Sequence, residues 1–124
     1  MSGRKSEKTT EDYLEAILII REEKGYARAV DLAHFLKITP PSVSYTTKRL
    51  KEQGLVTSDD AGMLLLTDNG MKIAEKIYER HVVLTKMLTG IGVSQKTASQ
   101  DACRMEHDIS DETFRCIRSH IGNL

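Results

Sequence analysis

A chain of 124 residues suits one compact core or two small subdomains, since domains commonly hold about 100–200 residues. Its 18 Lys and Arg balance 18 Asp and Glu, so bulk charge gives no hold on nucleic acid, and any such contact has to come from a local patch. No apolar run nears the roughly 18 residues of a membrane span and the mixed-charge amino end is no signal peptide. The two cysteines then point to a reduced, cytoplasmic setting, and the lack of Trp disfavours a stacking platform for single strands.

After a short polar arm, Met1 to Lys8, the run Thr9-Thr10-Glu11-Asp12-Tyr13 predicts a helix start, with threonine as cap and acids in the first turn. Tyr13, Leu14, Ile17, Leu18 and Ile20 supply its apolar side to about Arg21, and Gly25 stops it. Ala27 to Phe35 predicts a second, short helix that buries Val30, Leu32, Ala33 and Leu36. Thr39 is a natural cap for a third, with Pro40 and Pro41 in a first turn that has no use for their missing donors and Gly54 past its end. Val43 and Leu50 fall on its inner face, while Ser42, Ser44, Tyr45 and Thr46 offer hydrogen-bonding groups and Lys48 and Arg49 positive charge. Two helices joined by a tight turn, the second so equipped, make a helix-turn-helix.

Leu55 to Ser58 and Met63 to Thr67 are short strand candidates around Asp59-Asp60-Ala61-Gly62, whose acidic and glycine residues suit a hairpin turn. A helix-turn-helix followed by a hairpin is a winged helix, with the second helix in the major groove and the wing along the backbone. The expected DNA-contacting set is Arg28, Thr39, Pro41 and the Ser42, Ser44, Tyr45, Thr46, Lys48 and Arg49 face, the three basic residues on phosphates. Thr67-Asp68-Asn69-Gly70 opens the longest helix, Met71 to Leu88, whose apolar positions include Ile73, Ala74, Ile77, Val82 and Leu84. Ser94 caps a fifth helix, and Ser110-Asp111-Glu112-Thr113 opens a last one to Ile121 that buries Phe114, Ile117 and Ile121, with Cys116 as a core thiol.

The fifth helix carries Asp101-Ala102-Cys103-Arg104-Met105-Glu106-His107. Read as helix, it puts Cys103, Glu106 and His107 on one face, a thiolate, a carboxylate and an imidazole in the pattern of a transition-metal site. Asp12 and Glu15 repeat the i, i+3 spacing, and His81 lies late in the long helix. Each has a plainer reading: first-turn acids, a surface histidine, a small core thiol. Convergence of the six side chains would decide for metal.

With that order of elements the chain resembles the diphtheria-toxin-repressor family of metal-dependent transcription regulators, over nearly its whole length. Thr10-Glu11-Asp12-Tyr13-Leu14-Glu15, Glu22 to Arg28, Arg80-His81 and Cys103 to Asp108 carry the resemblance. It looks like the short, two-domain type, since longer members continue into an SH3-like module. The resemblance implies a homodimer joined through its carboxyl-terminal helices that represses metal-uptake genes when loaded. It also implies a hybrid ligand set. Asp12, Glu15, His81, Glu106 and His107 match the manganese-responsive branch, whereas Cys103 stands where that branch has glutamate and the iron-responsive branch cysteine. The iron branch has methionine at the position of Asp12.

The expectation is a mostly α chain, with a winged helix-turn-helix DNA-binding domain over residues 1–70 and a helical metal-binding and dimerisation domain over 71–124. Its cofactor would be divalent iron or manganese, with cobalt, zinc or nickel as substitutes. Its partners would be double-stranded operator DNA and a second copy, with no membrane and no small-molecule substrate. Two rivals are a redox regulator using Cys103 as sensor thiol and a small metal-dependent hydrolase built on His81, Glu106 and His107. The hydrolase lacks a His-Glu-x-x-His run and leaves the winged helix unexplained, so the chain is not expected to be an enzyme.

Overall fold

The computed structural model describes residues 2–121, with side chains from residue 7 onward. Its elements are α1 (Ser2–Lys24), α2 (Ala29–Leu36), α3 (Pro40–Glu52), β1 (Val56–Ser58), β2 (Leu64–Leu66), α4 (Asp68–Gly90), α5 (Gln95–Met105) and α6 (Asp111–Ile121). They fall into two compact units, Met1–Glu75 and Lys76–Leu124. The mostly α architecture with a winged helix-turn-helix ahead of a helical segment is as expected. No helix among the described residues is long and apolar enough to cross a membrane.

In the first unit α1 packs on α2 and β2, α2 on α3, and α3 on β1. The core is Tyr13, Leu14, Ala16, Ile17 and Ile20 from α1, Leu32 from α2, Val43 and Leu50 from α3, and Val56 and Leu64 from the hairpin. Burying a side chain such as Leu14 or Ile17 contributes about 1.5–3 kcal/mol. Helix α1 starts seven residues before the expected Thr9 cap. No proline interrupts residues 2–12, and Lys8 Nζ meets Asp12 Oδ2 one turn on at 3.1 Å, so the charged run is compatible with helix. Met1, part of the expected arm, lies outside the described residues. The Gly25 stop is as read, with φ +87°.

Helix α2 begins two residues late because the Ala27 carbonyl accepts Leu64 N–H at 2.7 Å, tying the loop to the wing. Asp31 then accepts the Arg28 N–H at 2.9 Å, closing the first turn from its third residue. Val30 is not core but 55% exposed, since it lies off the face shared by Leu32, Ala33 and Leu36. In α3 the cap is as read: Thr39 accepts Ser42 N–H at 3.4 Å, with proline in the first turn. The wing pairs Val56 with Leu66, Thr57 with Leu65 and Ser58 with Leu64, antiparallel. Its turn is closed by Asp59, whose Oδ1 accepts the N–H groups of Ala61 and Met63, each at 2.9 Å.

Thr67 starts α4, accepting Gly70 N–H on Oγ1 at 3.1 Å and donating from that oxygen to the Gly54 carbonyl at 2.6 Å. Gly70 is buried, and a Cβ there would collide with the Leu55 carbonyl oxygen. In the second unit Ile77, Arg80 and Leu84 form the buried face of α4. Val82 was expected among its apolar positions but is 40% exposed, because it points from the opposite side. In α6 Thr113 N–H bonds Ser110 Oγ at 3.1 Å and Phe114 is buried, as read. Cys116 is exposed, not core, since it lies across the helix from Phe114, Ile117 and Ile121.

Replacing Gly70 with alanine is expected to cost about 1–3 kcal/mol, since backbone must shift to admit the methyl group. Gly90, also helical but with open space around it, serves as the contrast: Gly90→Ala should be neutral or slightly stabilising in the same urea melts. A second expectation concerns acid. The Lys24 ammonium, 2.8 Å from Asp31 Oδ1, and then the Arg28 N–H hold the Asp31 carboxyl below its ordinary value of 3.8. A depressed carboxyl stabilises the fold above that value and loses the contribution as pH falls through its folded value. Melting temperature followed from neutral pH down to about pH 2.5 should therefore fall less steeply in Asp31→Asn than in the parent.

Candidate metal centre and nucleic-acid face

Of the six expected ligands, Asp12 and Glu15 lie in the first unit and His81, Cys103, Glu106 and His107 in the second. Asp12 is half-buried on α1, and Glu15 is buried at 6% exposure, an unusual place for a carboxylate.

In the second unit the fully buried Ala98 and Ala102 give α5 a small-residue face. Helix α5 ends at Met105, so Glu106 and His107 are not on the helix with Cys103, as expected, but in the turn beyond it. Glu106 keeps right-handed helical dihedrals, φ −60° and ψ −24°, so the chain breaks only after it has aimed that side chain along the helical path. Its carboxylate is wholly buried. One oxygen, Oε2, lies 3.0 Å from His81 Nδ1. The other, Oε1, lies 3.5 Å from His107 Nε2 and makes no hydrogen bond among the described residues. His81 is held from its far side, with Ser99 Oγ 3.4 Å from Nε2. The structure thus brings His81, Glu106 and His107 together, while Cys103 is exposed.

A buried carboxylate costs several kcal/mol unless opposite charge or hydrogen bonds compensate it. The Arg80 guanidinium does not serve: it donates to the Glu106 and Ile109 carbonyls, at 3.1 and 2.8 Å, and to Asp111. An unsatisfied carboxylate oxygen facing one imidazole, with a second imidazole on its neighbour, is a donor set that a first-row divalent cation fits. Neither Ser99 nor the role of Arg80 was read from sequence. The signal for Arg80 was present, because a cation at the centre of the Ile77, Arg80, Leu84 face demands buried acceptors.

The nucleic-acid face belongs to the first unit. Pro41, Ser42, Ser44, Tyr45, Lys48 and Arg49 are exposed along α3 and Thr46 is half-buried. Tyr45 is 66% exposed, and the Arg49 guanidinium lies 5.9 Å from its ring centroid, which holds the cation at the surface. Ser42 is partly occupied by the cap, receiving the Thr39 hydroxyl at 2.9 Å, and its carbonyl accepts the buried Tyr13 hydroxyl at 3.4 Å. Arg28, at the start of α2, stands 5.4 Å from the Tyr26 ring centroid. The turn of the wing is acidic, Asp59-Asp60, so the basic surface of this unit near the helix-turn-helix comes from α3, Arg28 and the exposed Lys37 of the turn.

Residues 6–62 match the DNA-binding domain model of the iron-dependent repressors, and residues 67–124 match the metal-binding and dimerisation domain model. The transcriptional regulator MntR of Escherichia coli is 38% identical over 108 residues, covering 87% of this chain and 70% of that protein. An HTH-type transcriptional regulator of Methanocaldococcus jannaschii is 36% identical over 110 residues, 87% of this chain and 88% of its own. Among solved structures, a manganese-dependent transcriptional repressor in complex with manganese superposes with a TM-score of 0.84 at 28% identity, covering 91% of this chain and 52% of that one. IdeR of T. acidophilum gives 0.82 at 25% identity, covering 90% and 53%. The chain therefore spans about half the length of these structures. With both domain models matched in order and the buried acid–imidazole cluster inside the second, the chain belongs to the iron-dependent repressor family of metal-dependent transcriptional regulators.

Proposed function

We propose that this chain represses metal-uptake genes by binding a palindromic operator duplex as a homodimer when loaded with divalent iron or manganese, in the cytoplasm. Cobalt, zinc and nickel are the substitutes its donor set admits. The observation that carries the reading is the wholly buried Glu106 carboxylate between His81 and His107 in the part of the chain matched by the metal-binding and dimerisation model. Residues 1–70 read DNA and residues 71–124 bind metal and dimerise. Asp12, Glu15, His81, Cys103, Glu106 and His107 are the proposed ligands. Glu15 is a buried acid one turn from Asp12 on α1, in keeping with its inclusion.

A divalent cation held by these ligands would supply the positive charge that the carboxylates of Asp12, Glu15 and Glu106 call for. The chain does the rest. Asp12 and Glu15 sit on the same α1 that packs against α2 and presents Tyr13 to the start of α3, so ordering α1 orders the reading helix. Moving such an equilibrium from mostly inactive to mostly active takes about 5.5 kcal/mol of differential binding, within the reach of a metal site. Ser42, Ser44, Tyr45 and Thr46, with Thr39 and Pro41 at the helix start, face bases or nearby phosphates, while Arg28, Lys48 and Arg49 contact the backbone. A two-fold dimer doubles the short site that one such helix reads.

Binding to operator fragments, followed by fluorescence anisotropy in manganese or iron under reducing conditions with mass by sedimentation, tests this reading. DNA binding should require metal and involve a dimer; metal-independent binding, or a monomer on DNA, overturns it. In the same assay Arg49→Ala should weaken all sequences alike and flatten the salt slope by about one unit per lost phosphate contact. A changed sequence preference with an unchanged slope would reverse the roles assigned along α3.

The exposure of Cys103 favours a second reading for that residue, a redox-sensing thiol, so its part needs its own test. As a ligand it favours iron, cobalt or zinc over manganese. Cys103→Glu should then lower cobalt and zinc affinity relative to manganese, and Cys103→Ala should weaken every metal. A sulfur-to-cobalt charge-transfer band in the near ultraviolet reports the bond directly. Lack of that band, with an unchanged metal ranking in Cys103→Glu, removes Cys103 from the ligand set.

A further inference from the structure

We propose that Arg80 is the positioning residue of the metal centre: its guanidinium fixes the turn that carries Glu106 and His107, so that divalent-metal affinity depends on it. This inference rests on the metal-centre reading above. Arg80 is 6% exposed on α4. From Nη1 it donates to the carbonyls of Glu106 at 3.1 Å and Ile109 at 2.8 Å, and from Nη2 to Asp111 Oδ1 at 2.5 Å. Its planar group lies 5.3 Å from the centroid of the buried Phe114 ring.

Helix α5 stops at Met105, so the carbonyls that follow have no regular helical partner. A cation at that end answers the dipole and the orphan acceptors together. The two carbonyls that Arg80 takes belong to the first residue of the turn, Glu106, and to Ile109 at its far side, so they bracket His107. Asp111, in the first turn of α6, and Phe114 one turn later are the other contacts, which anchor the following helix to the same side chain. A short irregular segment tied at both ends by one buried group has few ways to redirect its side chains. Metal ligands need such support, because an orientation loose by about an ångström forfeits affinity. Arginine suits the place and lysine does not, since three acceptors and a ring face must be met by one planar fork.

Arg118 supplies the control. It lies 5.4 Å from the same Phe114 centroid and pairs with Glu79, yet it is half exposed. Its removal should loosen α6 without releasing the ligand turn.

The test uses the full chain, reduced, with cobalt(II) alone as probe. Dissociation constants come from competition titration, coordination from the ligand-field spectrum, and stability from melting of the metal-free protein. Arg80→Met should weaken cobalt binding by about 10–100-fold and alter the spectrum, the size seen when groups orienting a ligand are removed. Arg80→Lys should recover part of the affinity, and Arg118→Met should lower the melting temperature while keeping parental affinity and spectrum. A folded Arg80→Met with parental affinity and spectrum overturns the proposal, as does equal loss of affinity in Arg80→Met and Arg118→Met. If Arg80→Met does not fold, Arg80→Lys decides: a several-fold loss with a changed spectrum supports the role, and unchanged values overturn it. Failure of the parent protein to bind cobalt sinks the metal reading itself, and this inference with it.

Discussion

The second unit is organised by the burial of one carboxylate. Glu106 is among the largest wholly buried side chains of the chain, and the others in that group are aliphatic. Desolvating an ionised carboxylate is expensive by several kcal/mol, and an imidazole on each side offsets part of that cost. The Arg80 guanidinium stands on the backbone of the same residue and leaves the side chain to the imidazoles. That division makes the cluster receptive, because a guanidinium paired with the carboxylate would have satisfied it permanently. A buried acid without a fixed cation is the kind of group that an exchangeable one suits, which is the basis of the metal reading proposed for this cluster.

The first unit handles charge in the opposite way. The cations of its helix-turn-helix, Arg28, Lys48 and Arg49, are at the surface, and the neutral total means that they act as a local patch. Lys48 and Arg49 lie on the exposed side of α3, one turn from Ser44 and Tyr45, so the proposed phosphate and base-edge contacts would come from neighbouring turns of one helix. The wing contributes little positive charge. Asp59 closes its turn by accepting two N–H groups, which explains the acid by local structure and makes the tip a poor companion for phosphate. The proposed reading of bases accordingly rests on α3 and not on the wing.

Elements whose limits are set by local chemistry were legible in the sequence. Thr39, Ser94 and Ser110 cap helices because their hydroxyls meet N–H groups within one turn, and the hairpin closes on Asp59 for the same reason. Features set by tertiary context were not. Val30, Val82 and Cys116 have the composition of core residues, and only the angular position of each on its helix shows that it faces away. The amino-terminal extension of α1 was hidden by polarity, which reports exposure and says little about helicity. Periodicity placed Glu106 and His107 near each other correctly but carried α5 too far, since the spacing i, i+3, i+4 cannot tell a helix from a helix that ends within the motif.

That early end has a chemical consequence. Had α5 continued, its backbone would have satisfied more of its own carbonyls, and the arginine at the centre of the α4 face would have lacked buried acceptors. Because α5 stops at Met105, the carbonyls of Glu106 and Ile109 are open to Arg80, and the chain turns at once into α6 through Asp111. The helix terminus, the buried guanidinium and the buried carboxylate thus require one another. A cation in the core needs acceptors, here two orphan carbonyls and the Asp111 carboxylate, and orphan carbonyls in the core need a donor. An acid held between imidazoles keeps its place only while the backbone beneath it is pinned.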